Sequence, residues 1–396
     1  MGRLTNYPVV DCDGHIFEPI DLWEKWIEAP YKLAAPKVMK DWRGDQREYV
    51  EGKFYPIPYG PGAGLPHGWQ GIAKVQQDDV LGGAYPRGYE AAEVAGFDPK
   101  ARLEAMDSEG IDIGVCYPTR GLYSINVDDP GLAAAVSRAY NNWLYETWVK
   151  TDPNRLIGVA MVPFWQDVDA AIKEMERCKR EFGFYGTYIR PNPRRGLTFA
   201  SPHFHPFYEA AQDLGMPIGL HEGTGFSAAA GTERFDRFII NHAISHPFEQ
   251  MLAMIAFILG GVLEKFPRLR VLFLESGASW GAYWLWRMDE HIEKRPDECQ
   301  DLRMSATEYF RRQCVITTET DEHPVAGAAE YIGEDNIAWS TDFFHWDAKF
   351  PGSVEYVVNR KDLSDTFREK LLGTNAIRIM GLEKQAQAVM KSSKKR

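Results

Sequence analysis

The chain has 396 residues, 44% of them hydrophobic, and a formal net charge of −11. That charge argues against nucleic acid, whose phosphates require a basic face, and the apolar content suffices for a large core. The five cysteines (Cys12, Cys116, Cys178, Cys299, Cys314) are scattered and form no CxxC pair, which fits a reducing compartment without a disulfide frame.

The opening residues, MGRLTNYPVV, hold no apolar signal-peptide core, so a soluble cytoplasmic protein is expected. The first predicted strand, PVVDCD at 8–13, opens the stretch PVVDCDGHIFEP at 8–19, which places Asp11, Asp13 and His15 within five residues. A surface loop could hold such a trio, and so could the tip of a barrel strand that carries a metal. Residues 20–98 then break the pattern. They are rich in Gly, Pro, Trp and Tyr, as in YPIPYGPGAGLPHGWQG at 55–71, and are too long for an ordinary strand–helix loop. Since the segment leaves the end of strand one, it is expected to be a cap inserted into one domain that spans 1–396.

From residue 98 onward, apolar β-rich runs alternate with helical spacing. The helix DPKARLEAMDSEG (98–110) precedes DIGVCYP (112–118), and AAVSRAYNNWLYETWVK (134–150) precedes LIGVAMVPF (156–164). DAAIKEMERCKREF (169–182) leads to GTYIRPN (186–192) and then PIGLHEG (217–223). A helix over 249–266 contains the longest apolar run, 251–263, which is too short to span a bilayer and reads as a buried helix or an oligomer contact. RVLFLESG (270–277), CVITTET (314–320) and NIAWSTDF (336–343) complete the set, and the basic KSSKKR end reads as a frayed tail.

With the first run these make eight strands. Near-continuous apolar strands separated by helices predict a parallel sheet covered on both faces. Eight such units predict an α/β fold of the (β/α)8 TIM-barrel type, with chemistry at the C-terminal strand ends. A doubly wound open sheet competes, but no GxGxxG follows the first strand.

The strand ends carry the polar residues. Strand one ends in Asp13 and His15, strand five in His221 and Glu222, strand six in Glu275, and strand eight in Asp342 with His345 just beyond. In a barrel these tips can aim at one point above the axis. Carboxylate and imidazole ligands suit a divalent transition ion such as zinc, iron or manganese. Asp13 and His15 share a strand face, whereas Asp11 lies deeper and is expected to pack or to support a neighbour.

These residues resemble the amidohydrolase superfamily, specifically the amidohydrolase-2 group of aminocarboxymuconate-semialdehyde decarboxylase relatives. VDCDGHIFEP, IRPNP, LHEGTG, SHPFEQM, GGVLEKFPRLRVLFLESGASW, STDFFHWDAKFPG and GTNAIRIMGL carry the resemblance along nearly the whole chain. It implies a metal-dependent barrel with Asp13, His15, His221 and Asp342 as ligands. Asp13 stands where many members have a histidine, as an acidic residue does in the decarboxylating ones. Glu275 stands where relatives place a catalytic histidine on strand six, and is expected to act as base or as a ligand that recruits a second ion. Arg190 occupies the end of strand four, where other branches carry a bridging lysine.

The resemblance assigns Asp342 to proton transfer. Arg190 either pairs with a substrate carboxylate or forms a salt bridge inside the barrel. His246 in SHPFEQM either donates a proton to a leaving group or is structural, and Asn192 and Arg120 are weaker pocket candidates. The expected function is a metal-dependent hydrolase with one or two ions, acting on an acyl or carbon–carbon bond of a bulky, carboxylate-bearing small molecule. Non-oxidative decarboxylation of an aromatic or enoic acid is the alternative. A homo-oligomer is expected, with neither a membrane nor a nucleic-acid partner.

Overall fold

The computed structural model describes residues 4–42, 46–55, 94–223, 230–235, 237–343, 345 and 348–393. Eight strands form one all-parallel sheet: β1 (Val10–Ile16), β5 (Ile113–Pro118), β6 (Leu156–Met161), β7 (Gly186–Ile189), β8 (Ile218–Leu220), β9 (Val271–Phe273), β10 (Cys314–Thr318) and β11 (Ile337–Trp339). They are hydrogen-bonded in chain order. Just past β11 the ring closes on β1, where Asp342 N–H donates to the Asp13 carbonyl and His15 N–H to the Phe343 carbonyl. The fold is the expected (β/α)8 barrel; seven of the eight predicted runs contain their strands, while β1 starts inside the first run, 8–13, and continues past it to Ile16.

The strands are buried on both faces, as their unbroken apolar sequence requires. The connecting helices are set by local signals. Asp98 accepts from the Lys100 and Ala101 N–H groups to start the helix Pro99–Glu109, and Gly110 at φ +78° ends it. The helix expected over 249–266 begins earlier, at Phe238, and stops at Ile258, with a short helix Val262–Lys265 after it. Gly260 and the left-handed Gly261 divide the two, while Pro247 is carried inside the longer one. At the C-terminus the chain is helical over Glu383–Ser393, so the expected frayed tail is partly ordered.

β1 contains a register shift between Asp11 and Gly14, where the strand gains a residue relative to β5. Such a bulge re-aims side chains at a strand tip. Gly14 is needed there because a Cβ would stand 2.8 Å from Asp11 Oδ2. The room it leaves lets Asp11 accept from Thr341 N–H (2.9 Å) and Thr341 Oγ1 (2.6 Å), which fastens β1 to the chain after β11. Asp11 thus has the supporting role its depth suggested.

The described part of the 20–98 segment includes an antiparallel sheet of β2 (Lys37–Lys40), β3 (Gln46–Val50) and β4 (Lys53–Tyr55). Glu48 on β3 accepts from Arg120 Nε (2.9 Å), Ser124 Oγ (2.7 Å) and Trp23 Nε1 (3.2 Å). Arg120 and Ser124 follow the C-terminal end of β5, so this sheet packs at the end of the barrel where the strands have their C-termini. Glu18 adds a second anchor by accepting the N–H groups of Arg120 (2.8 Å) and Gly121 (2.7 Å). The aromatic stretch 55–71, beyond Tyr55 itself, lies outside the described residues. No helix among the described residues is long and apolar enough to cross a membrane.

Candidate metal centre

Four strand ends meet above the barrel axis. His15 Nε2 and His221 Nε2 are 2.8 Å apart. Asp13 Oδ1 is 3.5 Å from His221 Nε2 and 3.8 Å from His15 Nε2, and Asp342 Oδ1 is 3.4 Å from His15 Nε2. Glu275 Oε2 comes within 3.1 Å of His221 Nε2. The five residues expected as metal ligands are therefore brought together.

The second nitrogen of each histidine decides what this close approach means. His15 Nδ1 is 2.9 Å from the Pro118 carbonyl, and His221 Nδ1 is 2.6 Å from the Glu222 carbonyl. A carbonyl only accepts, so each Nδ1 carries the proton and each Nε2 presents a lone pair. Two lone pairs facing at this distance repel unless a cation lies between them. Burial, then the neighbouring imidazoles, holds the His15 imidazole well below the usual histidine range, and burial does the same for His221, so both are neutral.

Asp13 completes the case. It is fully buried, and neither of its carboxylate oxygens has a hydrogen-bond partner. Burial, reinforced by the charges of Glu275 and Asp11, pushes its carboxyl well above the ordinary range. An orphaned carboxylate beside two neutral imidazoles with lone pairs converging is a donor set that fits a divalent transition ion.

Glu275 and Asp342 both have left-handed backbones, at φ +48° and +52°. That conformation is costly for a side-chain-bearing residue and is held by the surroundings. For Glu275 the hold is visible. Its N–H donates to Thr317 Oγ1 (3.2 Å), and Glu322 accepts from the N–H groups of Ala278 (2.9 Å) and Ser279 (2.7 Å) and from Thr318 Oγ1 (2.6 Å). Glu322 was not legible as a site residue, because it lies beyond the tip of β10 and acts on a neighbouring loop.

Asp342 Oδ1 is 2.8 Å from His345 Nδ1, and the His345 ring lies 4.1 Å from that of His15. His246 lies on the helix Phe238–Ile258, with Nε2 3.4 Å from Glu275 Oε1. Arg190 is buried and donates to Asn192 Oδ1 (3.0 Å), the Leu122 carbonyl (3.3 Å), the Gly223 carbonyl (2.9 Å) and Glu222 Oε1 (3.3 Å). Its guanidinium is thus engaged by the two residues that follow His221 and by the neighbouring Leu122 and Asn192. Arg120 is likewise turned to Glu48 and the Pro19 carbonyl. Arg102, which the sequence did not single out, donates to the carbonyls of His15 and Phe343 and braces both ligand-bearing tips.

The family profile described as Amidohydrolase matches residues 10–382. A 2-amino-3-carboxymuconate-6-semialdehyde decarboxylase of Dictyostelium discoideum is 26% identical over 72% of this chain and 77% of its own length. A crystal structure of an amidohydrolase from Mycobacterium avium subsp. paratuberculosis superposes with TM-score 0.77 at 20% identity, covering 95% of this chain and 100% of the other. A dihydroxybenzoic acid decarboxylase from Polaromonas sp. JS666, solved with manganese and the inhibitor 2-nitroresorcinol, gives TM-score 0.65 at 19% identity over 95% and 97% of the two chains.

Proposed function

The chain belongs to the amidohydrolase family, and from that membership we propose a metal-dependent non-oxidative decarboxylase of a carboxylated aromatic or enoic small molecule. The expectation of a hydrolase gives way to its alternative because the relatives named above that carry a stated reaction are decarboxylases. The geometric observation that carries the reading is Asp342. Its carboxylate sits beside the neutral His15–His221 pair, and its Oδ1 lies 2.8 Å from Nδ1 of a second titratable group, His345.

Asp13, His15, His221 and Asp342 would hold the ion, and manganese in the Polaromonas neighbour favours that metal over zinc or iron. A divalent ion held there would supply positive charge that offsets these carboxylates and would polarise a substrate oxygen. Asp342 then delivers a proton to the carbon that bears the substrate carboxylate. The bond from that carbon to the carboxylate breaks, its electron pair restores the π system, and CO₂ leaves. Asp342 recovers a proton through His345 Nδ1. Arg190 is a positioning residue that fixes the His221–Gly223 turn. Tyr55 of the inserted segment stacks against Tyr123, which follows β5, with ring centroids 6.4 Å apart.

A hydrolytic second reading is favoured by Glu275, a carboxylate placed to accept a proton from water. Incubating the manganese-loaded protein with carboxyl-labelled aromatic and enoic acids separates the two. Labelled CO₂ from at least one acid, lost in Asp342→Asn, is the expected result. Turnover of esters or amides with no CO₂ from any acid would overturn the proposal.

A further inference from the structure

The helix Phe238–Ile258 brings two more imidazoles to the edge of the centre. His242 and His246 are four residues apart and share one helix face, with ring centroids 4.6 Å apart. Gln250, one turn further on, fixes that face. Its fully buried amide donates to the Leu220 carbonyl (2.6 Å) and the Leu274 carbonyl (3.0 Å), each immediately before a ligand-bearing tip. The helix is thereby held in register with His221 and Glu275.

We propose that His242, His246 and Glu275 form a second divalent-cation position, sharing Glu275 with the first. One donor atom from each of the three lies within 4.8 Å of the others. Glu275 divides its oxygens: Oε2 is 3.1 Å from His221 Nε2, and Oε1 is 3.4 Å from His246 Nε2. A carboxylate whose two oxygens face two separate imidazole groups has the disposition that bridges a pair of ions about 3.5–4 Å apart. The left-handed backbone of Glu275, clamped by Thr317 and by Glu322 at the following turn, fixes that orientation.

Charge points the same way. Once Asp342 has given up its proton, Asp13, Asp342 and Glu275 are three buried or nearly buried carboxylates around one divalent position, which leaves one negative charge uncompensated in a low-dielectric site. A second cation at the His242–His246 edge removes that excess. Two imidazoles and one carboxylate are borderline donors, so the ligand is a transition ion such as Mn²⁺ or Co²⁺ rather than Ca²⁺. The competing occupant is a proton shared between His246 and Glu275.

The inference rests on the first position being a metal centre, and the test counts the two positions separately. Mn²⁺ is titrated into the chelator-stripped full chain, bound metal is counted after desalting, and paramagnetic resonance reads coupling between ions. Two equivalents with an exchange-coupled signal are expected. His242→Ala combined with His246→Ala should then retain one equivalent with an uncoupled signal. Saturation of the wild type at one equivalent, or two equivalents still bound by the double variant, would overturn the second position and leave the first standing. No binding at all would overturn both.

Discussion

The chemistry of the centre turns on where two protons sit. Backbone carbonyls at Pro118 and Glu222 hold the Nδ1 protons of His15 and His221, so both Nε2 atoms are committed as donors to a cation. His221→Ala should therefore lose retained metal at the first position, and Asp342→Asn should lower both metal content and turnover. Neither should lower the melting temperature much in the metal-free state, because strand tips lie outside the packed layers of the barrel. Metal analysis alongside thermal unfolding checks both, and full metal retention in His221→Ala would count against the ligand assignment. At this scale the sequence was informative where chemistry sits on a strand tip: Asp13, His15, His221, Glu275 and Asp342 were all legible. His242, Arg102 and Glu322 were not. Their contributions depend on which helix face or loop turns inward, which strand spacing does not encode.

At the scale of elements, a loop borrowed from one strand shapes the tip of the next. Glu322 caps the turn after β9, and that turn presents Glu275. Glu322→Ala should leave metal at the Asp13–His15–His221 position but misplace Glu275, with turnover reduced on the order of 10²-fold, the usual consequence of a shift near 1 Å in a catalytic group. Unchanged turnover in this variant would show that the Glu275 turn holds itself. The inserted sheet is a second case. Arg120 and Glu48 form a fully buried ion pair between barrel and insert. Glu48→Ala leaves a buried guanidinium without its carboxylate and should destabilise the fold by about 3 kcal/mol, measurable by denaturant unfolding. Loss below about 1 kcal/mol would mean that the insert is held mainly by apolar contacts. Strands were legible because apolar runs bounded by turns are short and regular. The start of the helix at Phe238 was not, since Pro247 reads as a helix entry and only tertiary packing carries the helix through it.

For the whole molecule, the barrel explains why residues as distant in sequence as Asp13 and Asp342 meet: closure of the ring sets the chain after β11 beside β1, with Asp342 N–H donating to the Asp13 carbonyl. Strand count and tip polarity made that closure readable in the sequence. The reaction was less readable, because one barrel and one ligand set serve both water activation and carbon protonation, and the exchange of histidine for Glu275 pointed the other way. In the proposed reaction this assembly moves a proton to carbon and releases CO₂. The most direct test is to run the manganese-loaded protein in D₂O enriched in ¹⁸O, with a carboxyl-labelled aromatic acid that it turns over, and to analyse the product by mass spectrometry. One deuterium on the carbon that lost its carboxyl group is expected, with the label recovered as CO₂. A product that keeps its labelled carboxyl group and gains ¹⁸O from solvent would contradict it.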